Sequence, residues 1–172
     1  MVGKGGPLVP ALFLAACCAL SCAVAGCGAY SVSGGIPAHI RTVGVEFFEN
    51  RTVEAGLEEQ LSRAISDRLV AQSQLRYASS RVADAVVRGT IVEVREEPLT
   101  YTGAQASRYQ VTITAQAEVW DRVRRRALWE RDVVRGQGTY DPTTGLAGRE
   151  AAYSQAVREV AQHIVDGLLS GW

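Results

Sequence analysis

Lysine is almost missing from this chain: of 172 residues one is lysine, Lys4, against 17 arginines. Cysteine is equally one-sided. The four cysteines are Cys17, Cys18, Cys22 and Cys27, and none follows position 27. A chain that begins at Cys27 therefore has one thiol and closes no internal disulfide. Histidine is scarce as well: His39 and His163 do not form a metal set with any cysteine or acid at ligand spacing. There is no P-loop, and Ser33-Gly34-Gly35 is too short and too early to hold a phosphate. Paired acids occur at Glu58–Glu59, at Glu96–Glu97 and at Glu130 with Asp132. They read as solvated faces, with no opposed environments to split their pKa values for acid–base work. A Cys–His nucleophilic pair is absent too. These absences exclude an enzyme, a metal and a bound cofactor. The arginines do not make the protein basic, because 18 Asp and Glu balance them, and no overall basicity argues for nucleic acid.

What is present begins with a long apolar run. Leu8 to Ala25 is apolar except for Ser21, and Lys4 precedes it. A short positive region, an apolar region and small residues follow the order of an export signal. A membrane span is the competing reading, since the run has about the minimum length for one. No basic stop-transfer flank follows, however, because the next basic residue is Arg41. The segment resembles a bacterial lipoprotein signal: Val24, Ala25, Gly26 and Cys27 fit its end, whereas Ala19-Leu20-Ser21 makes Cys22 a poorer acceptor. That resemblance implies a thioether-linked diacylglycerol on Cys27, an added acyl chain such as palmitate, and Cys27 as the first mature residue. Gly28 in place of Asp points to the outer membrane. Several acyl chains anchor firmly, at about 0.8 kcal/mol per buried CH₂. The expected division is a signal peptide over 1–26, a lipidated tether over 27–40 and one folded domain over 41–172.

Within the domain the hydrophobic period alternates between two values. Residues 41–48 alternate as a strand, with Val43, Val45 and Phe47 on one side. The turn Glu49-Asn50-Arg51-Thr52 ends it, with Asn50 and Thr52 as turn or cap residues. From Glu54 to Gln72, Leu57, Leu61, Ile65 and Leu69 mark one stripe of an amphipathic helix, with Glu59 and Arg63 spaced to pair. A short strand over 75–79 and a longer one from Asp84 to Glu96 follow, the second with Gly89 as a bulge and Pro98 as its stop. Residues 99–107 read as a loop. Tyr109, Val111, Ile113, Ala115, Ala117 and Val119 then alternate with polar residues, a strand with one buried face. Leu128 to Gly138 returns as its antiparallel partner. After a turn-rich connection over 139–148, Arg149 to Leu169 is a second amphipathic helix. One-sided helices and a one-sided sheet predict a two-layer α/β (α+β) sandwich: two helices on one face of a mixed, mostly antiparallel sheet of about four strands.

Two features of the 120s hairpin suggest binding. Arg122, Arg124, Arg125 and Arg126 cluster at its tip and are candidates for holding anionic lipid or glycolipid phosphates, or another acidic partner, although a solubilising, edge-protecting turn is the more ordinary use of them. Trp120 and Trp129 flank the tip. Placed on the side away from the apolar row they are candidates for a partner interface; the alternative is that they pack on each other across the hairpin. His163 reads as a partly covered surface or interface residue of the last helix.

The ordered set of segments resembles the LPS-assembly lipoprotein family LptE. The residues are Cys27, Gly28, Tyr30, Ser31, Val32 and Gly34, with Ala29 inserted; then Ile36, Pro37, Ile40, Thr42, Val43, Val45, Phe47, Asn50, Thr52, Gly56, Leu57, Glu58, Leu61 and Ala64. Residues 83–91, 109–121, 128–140 and 149–172 look like its middle strands, returning strand and terminal helix. The resemblance implies a two-helix sandwich and a non-enzymatic lipoprotein of the outer membrane, lipid-anchored on the periplasmic side. It also implies that the protein plugs an LptD-like β-barrel, assists that barrel's assembly and takes part in lipopolysaccharide transport to the outer leaflet. Small α/β modules are reused, so an envelope scaffold lipoprotein that binds another membrane or peptidoglycan-synthesis complex is the alternative.

Overall fold

The computed structural model describes residues 37–72 and 75–170. The signal segment, Cys27 and the 28–36 part of the tether lie outside them. In chain order the elements are strands β1 (Thr42–Val45) and β2 (Glu49–Asn50), helix α1 (Leu57–Ala71), strands β3 (Arg76–Tyr77), β4 (Ala85–Thr102), β5 (Gln105–Asp121) and β6 (Arg126–Tyr140), a 3-10 turn (Pro142–Thr144) and helix α2 (Gly145–Ser170). The sheet runs β3-β1-β4-β5-β6, with β2 also against β4. β4, β5 and β6 are an antiparallel meander, while β1 is parallel to β3 and β4. Both helices pack on one face, as the one-sided patterns predict.

The core follows from those patterns. Leu57, Leu61, Ile65 and Leu69 of α1 and Ala156, Val160, Ile164 and Leu168 of α2 are buried in one core with Val43 of β1, Val87 and Ile91 of β4 and Val111, Ile113, Ala115, Ala117 and Val119 of β5. Each large aliphatic side chain so buried contributes about 1.5–3 kcal/mol. The α1 stripe and the β5 alternation fall on the residues the sequence indicated, and Glu59 pairs with Arg63 at 2.7 Å. Asn50 fixes the approach to α1: its Oδ1 accepts from the Thr52 N–H, and its Nδ2 donates to the Glu54 carbonyl and to Glu58.

Four sequence expectations change. First, Phe48 is fully buried and Phe47 is 69% exposed, the reverse of the alternation. Val45 aligns with Val87 and Glu49 with Thr90, so the chain between them carries one residue more than β4 and its phase flips. Second, Pro98 does not end β4. That strand continues to Thr102 and turns at Gly103 (φ 63°), so the expected loop is a hairpin arm. Beyond Arg51, which bonds to the Ile91 carbonyl, the other side of β4 has no strand partner among the described residues, and a proline costs no ladder bond there. Third, the register irregularities of β4 lie between Ile91 and Glu93, Pro98 and Thr100, and Thr100 and Tyr101, not at Gly89. Fourth, α2 starts at Gly145, four residues before Arg149.

The incoming segment also folds in. Ile40 is 5% exposed and belongs to the core, and His39 bonds to β5, so the residues read as the end of the tether are held by the domain. At the far side, α2 guards the free edge of β6: Glu159 accepts the Gln137 N–H at 2.7 Å and His163 bonds to the Arg135 carbonyl at 2.9 Å. This covers edge groups that would otherwise template another strand.

Candidate functional site

The arginine-rich turn between β5 and β6 is built on a carboxylate. Asp121 closes β5 with its side chain fully buried. Its Oδ1 accepts the N–H groups of Val123 and Arg124, both at 2.9 Å, in the manner of an Asx turn. Its Oδ2 accepts from His39 Nε2 at 2.7 Å; because an ionised carboxylate only accepts, the proton of this bond is on the imidazole. Burial pushes the Asp121 carboxyl up, but the bonds from Arg124, His39 and Val123 outweigh it and hold the group below the usual aspartate range.

A second aspartate ties the turn to its neighbours. Asp84 Oδ2 accepts from the Arg41 N–H (3.0 Å) and from the Thr42 N–H (2.9 Å) and hydroxyl (2.8 Å), and Thr42's hydrogen bond is the main reason its carboxyl sits low. The Asp84 carbonyl accepts the Arg122 N–H at 2.9 Å, and the Arg122 guanidinium donates to the Ser80 carbonyl.

On this scaffold Arg122, Arg124, Arg125 and Arg126 are all exposed. Arg125 has φ 53° and is the one non-glycine in the left-handed region among the described residues. That conformation costs about 1 kcal/mol for a side chain with a Cβ, so the turn keeps a guanidinium where glycine would relax it. The sequence located the four arginines. It did not single out Asp121, although an aspartate at the start of a turn is a recognised signal.

The two tryptophans do not share a face. Trp120 is half-buried on the side without helices, under the Arg88 guanidinium (4.8 Å to the ring centroid), which pairs with Glu118 at 2.5 Å. Trp129 is 8% exposed and belongs to the core, with its ring against Gly167 of α2. It pairs with Val119, whereas Trp120 pairs with Ala127, so one extra residue separates the two pairings. This corrects the expectation of a shared interface: Trp129 is a core residue, and the two rings cannot stack across the hairpin.

At the opposite end Arg149 joins Glu54 (2.9 Å) and Glu96 (3.0 Å), with its guanidinium over the Tyr153 ring. Tyr140 donates to Glu96, and its hydroxyl is pushed up to about 12 by burial and that carboxylate. Glu96 is thus part of a half-buried clasp and not the solvated strand end expected of it. A cleft of about 330 Å³ opens beside the clasp, whose polar groups bond to one another. We expect Arg149→Met to lower stability by about 2 kcal/mol, less than a fully buried pair costs because the groups are partly exposed. Chemical denaturation checks this, with Arg63→Met, at an exposed pair, staying within about 0.5 kcal/mol.

Among the described residues no group of three His, Cys, Asp or Glu is placed to hold a metal, and no helix is long and apolar enough to cross a membrane. The model of the family LptE, described as "Lipopolysaccharide-assembly", matches residues 40–168. The chain belongs to the LptE family. LptE-family lipoproteins are non-enzymatic, lie in the outer membrane with a lipid anchor and face the periplasm, and this chain is one of them. No curated protein matches it. Among solved structures the chain resembles a Xanthomonas campestris protein (TM-score 0.58, 15% identity, 80% of this chain and 91% of that one). It also resembles lipoprotein B of Nitrosomonas europaea (0.56, 9%, 80% and 86%) and a minor lipoprotein of Acinetobacter baumannii (0.52, 15%, 75% and 92%). At these identities the likeness establishes the LptE-like fold alone.

Proposed function

We propose that this LptE-family lipoprotein plugs and helps assemble an LptD-type outer-membrane β-barrel and takes part in lipopolysaccharide transport to the outer leaflet. The family match over 40–168, nearly all of the folded domain, carries this reading. In it residues 1–26 are the export signal, Cys27 bears the diacylglycerol, 27–40 is the tether and 41–172 the working domain. Trp120, on the face without helices, meets the partner. The exposed arginine turn, Arg122, Arg124, Arg125 and Arg126, holds lipid phosphates; the rigid backbone under it and the left-handed Arg125 support that role.

Purification of the full chain from outer membranes tests the partnership. A large β-barrel is expected with it. Recovery of a peptidoglycan-synthesis complex without a barrel would overturn the reading in favour of an envelope scaffold. Cys27→Ser is expected to abolish incorporation of labelled fatty acid into the protein, as judged by metabolic labelling; continued incorporation would remove Cys27 as the anchor.

A further inference from the structure

The fold brings three more arginines to the turn than the sequence grouped there. The Arg76 N–H donates to the Arg41 carbonyl at 3.1 Å, the Arg41 N–H donates to Asp84, and Asp84 accepts Arg122. The Arg122 guanidinium reaches the Ser80 carbonyl, and Arg81 follows in that same loop. One end of the sheet therefore carries Arg41, Arg76, Arg81, Arg122, Arg124, Arg125 and Arg126, all exposed. Register confirms the grouping, since Val43 aligns with Tyr77 on one side and Ala85 on the other, Ala85 with Asp121, and Asp121 with Arg126. At about 4.8 Å between strands the row is roughly 20 Å wide.

Among the described residues the guanidinium groups of Arg51, Arg63, Arg88, Arg95 and Arg149 each have a carboxylate within 4 Å; those of the seven do not, nor do those of Arg68, Arg108, Arg131, Arg135 and Arg158 elsewhere, so what sets this end apart is the number of unpaired guanidinium groups brought together. Asp84 and Asp121, the acids of this end, are spent on backbone N–H groups, Thr42 and His39. So many unpaired guanidinium groups repel one another unless an anionic surface meets them.

The chain also reaches the domain at this end. His39 sits on Asp121, directly under the arginine turn. Ten peptide steps separate Cys27 from Pro37, a contour of at most about 35 Å.

We infer that this seven-arginine end docks on the anionic phospholipid headgroups of the leaflet that holds the anchor, and so sets the domain's orientation on the membrane. The inference rests on the lipid anchor at Cys27 and names the source of the phosphates that the turn holds: resident phospholipid, not lipopolysaccharide in transit. Charge on an anionic surface acts at a distance and does not need bidentate geometry.

The test uses the full, lipidated chain reconstituted without a barrel. Val82, 75% exposed in the arginine loop, and Leu146, 78% exposed at the start of α2, are replaced singly by cysteine and labelled with a fluorophore, and the membrane carries a lipid-bound quencher. In vesicles of phosphatidylcholine with phosphatidylglycerol the label at 82 is quenched and that at 146 is not. In phosphatidylcholine alone neither is, and 1 M salt abolishes the difference. Arg41→Gln/Arg76→Gln/Arg81→Gln brings position 82 to the level of 146, about a 100-fold weakening at about fivefold per arginine; the matching lysine triple keeps the quenching. Quenching at 82 that is equal in neutral vesicles, or indifferent to the glutamine triple, overturns the proposal. So does quenching that arises only when lipopolysaccharide replaces phosphatidylglycerol, which would give the phosphates to the transported lipid. A chain that fails to float even with neutral vesicles removes the anchor, and the docking proposal with it. The barrel partnership is untouched by these arms and stands or falls on the purification.

Discussion

Asp121→Ala is expected to destabilise the domain by about 3 kcal/mol and to release the arginine turn. The substitution takes away a fully buried carboxylate that satisfies two turn N–H groups and the His39 ring. Donors left unpartnered each lose their bond and keep their desolvation, which makes truncation dearer than the net worth of the bonds themselves. A loss of that size corresponds to a fall of roughly 10 °C in Tm for a domain of this length. Asp121→Asn keeps the acceptor facing Val123 and Arg124 and loses the carboxylate opposite His39, so about 1–2 kcal/mol is expected. Amide hydrogen exchange separates a local from a global effect: at Val123 and Arg124 protection should fall sharply in the alanine variant and little in the asparagine one. A thermal scan of Asp121→Ala within 2 °C of the parent would show that the turn does not depend on this carboxylate.

The same residue makes stability depend on pH. Asp84, Glu96 and Asp121 are all held below their ordinary pKa values in the fold. A depressed carboxyl contributes its full stabilisation above its unfolded pKa, about 3.9 for Asp and 4.3 for Glu, and loses it as pH falls through the lower folded value. Melting temperature should therefore change little on these groups' account above about pH 5 and fall steeply below 4, and Asp121→Asn should be less acid-sensitive than the parent.

Local patterns were legible where one periodicity ran uninterrupted. The α1 stripe and the β5 alternation each follow a single period, and burying one face of each leaves little choice of packing. What failed were one-residue changes of phase. Phe48 replaces Phe47 in the core because an extra residue lies between β1 and β2, and Trp129 faces the helices because an extra residue separates its pairing from that of Trp120. Both depend on the partner strand's register, which no single segment encodes. The candidate site divides the same way. Four arginines in a row of five residues were visible, whereas Arg41, Arg76 and Arg81 join them only through parallel pairing and loop closure. Asp121 carried a local turn signal, but its bond to His39 spans 82 positions.

The glycines of β6 were unreadable for a related reason, and they carry the largest effect expected in the fold. Gly138→Val should cost about 4 kcal/mol or more, a large part of the 5–15 kcal/mol that holds a typical domain together. A Cβ at 138 would lie 1.9 Å from the Ala152 carbonyl oxygen, and one at 136 would lie 2.2 Å from that of Ala156. Both obstacles are backbone atoms of α2, so no side-chain rotation relieves them; the helix itself must move away from the sheet. Moving it uncouples Val160, Ile164 and Leu168 from β5, which is why the cost exceeds the 1–3 kcal/mol of ordinary overpacking. In the sequence these residues look like turn formers inside a strand, because what they make room for is a helix that arrives later in the chain. Gly103 separates space from backbone freedom: it has φ 63° and nothing within 4 Å of its would-be Cβ, so Gly103→Ala costs about 1 kcal/mol through dihedral strain alone. Circular-dichroism melts of Gly138→Ala, Gly138→Ser and Gly138→Val should fall in that order, with the valine variant largely unfolded at 37 °C. If Gly138→Val melts no lower than Gly103→Ala, the close seat of α2 on β6 is not what holds the sandwich shut.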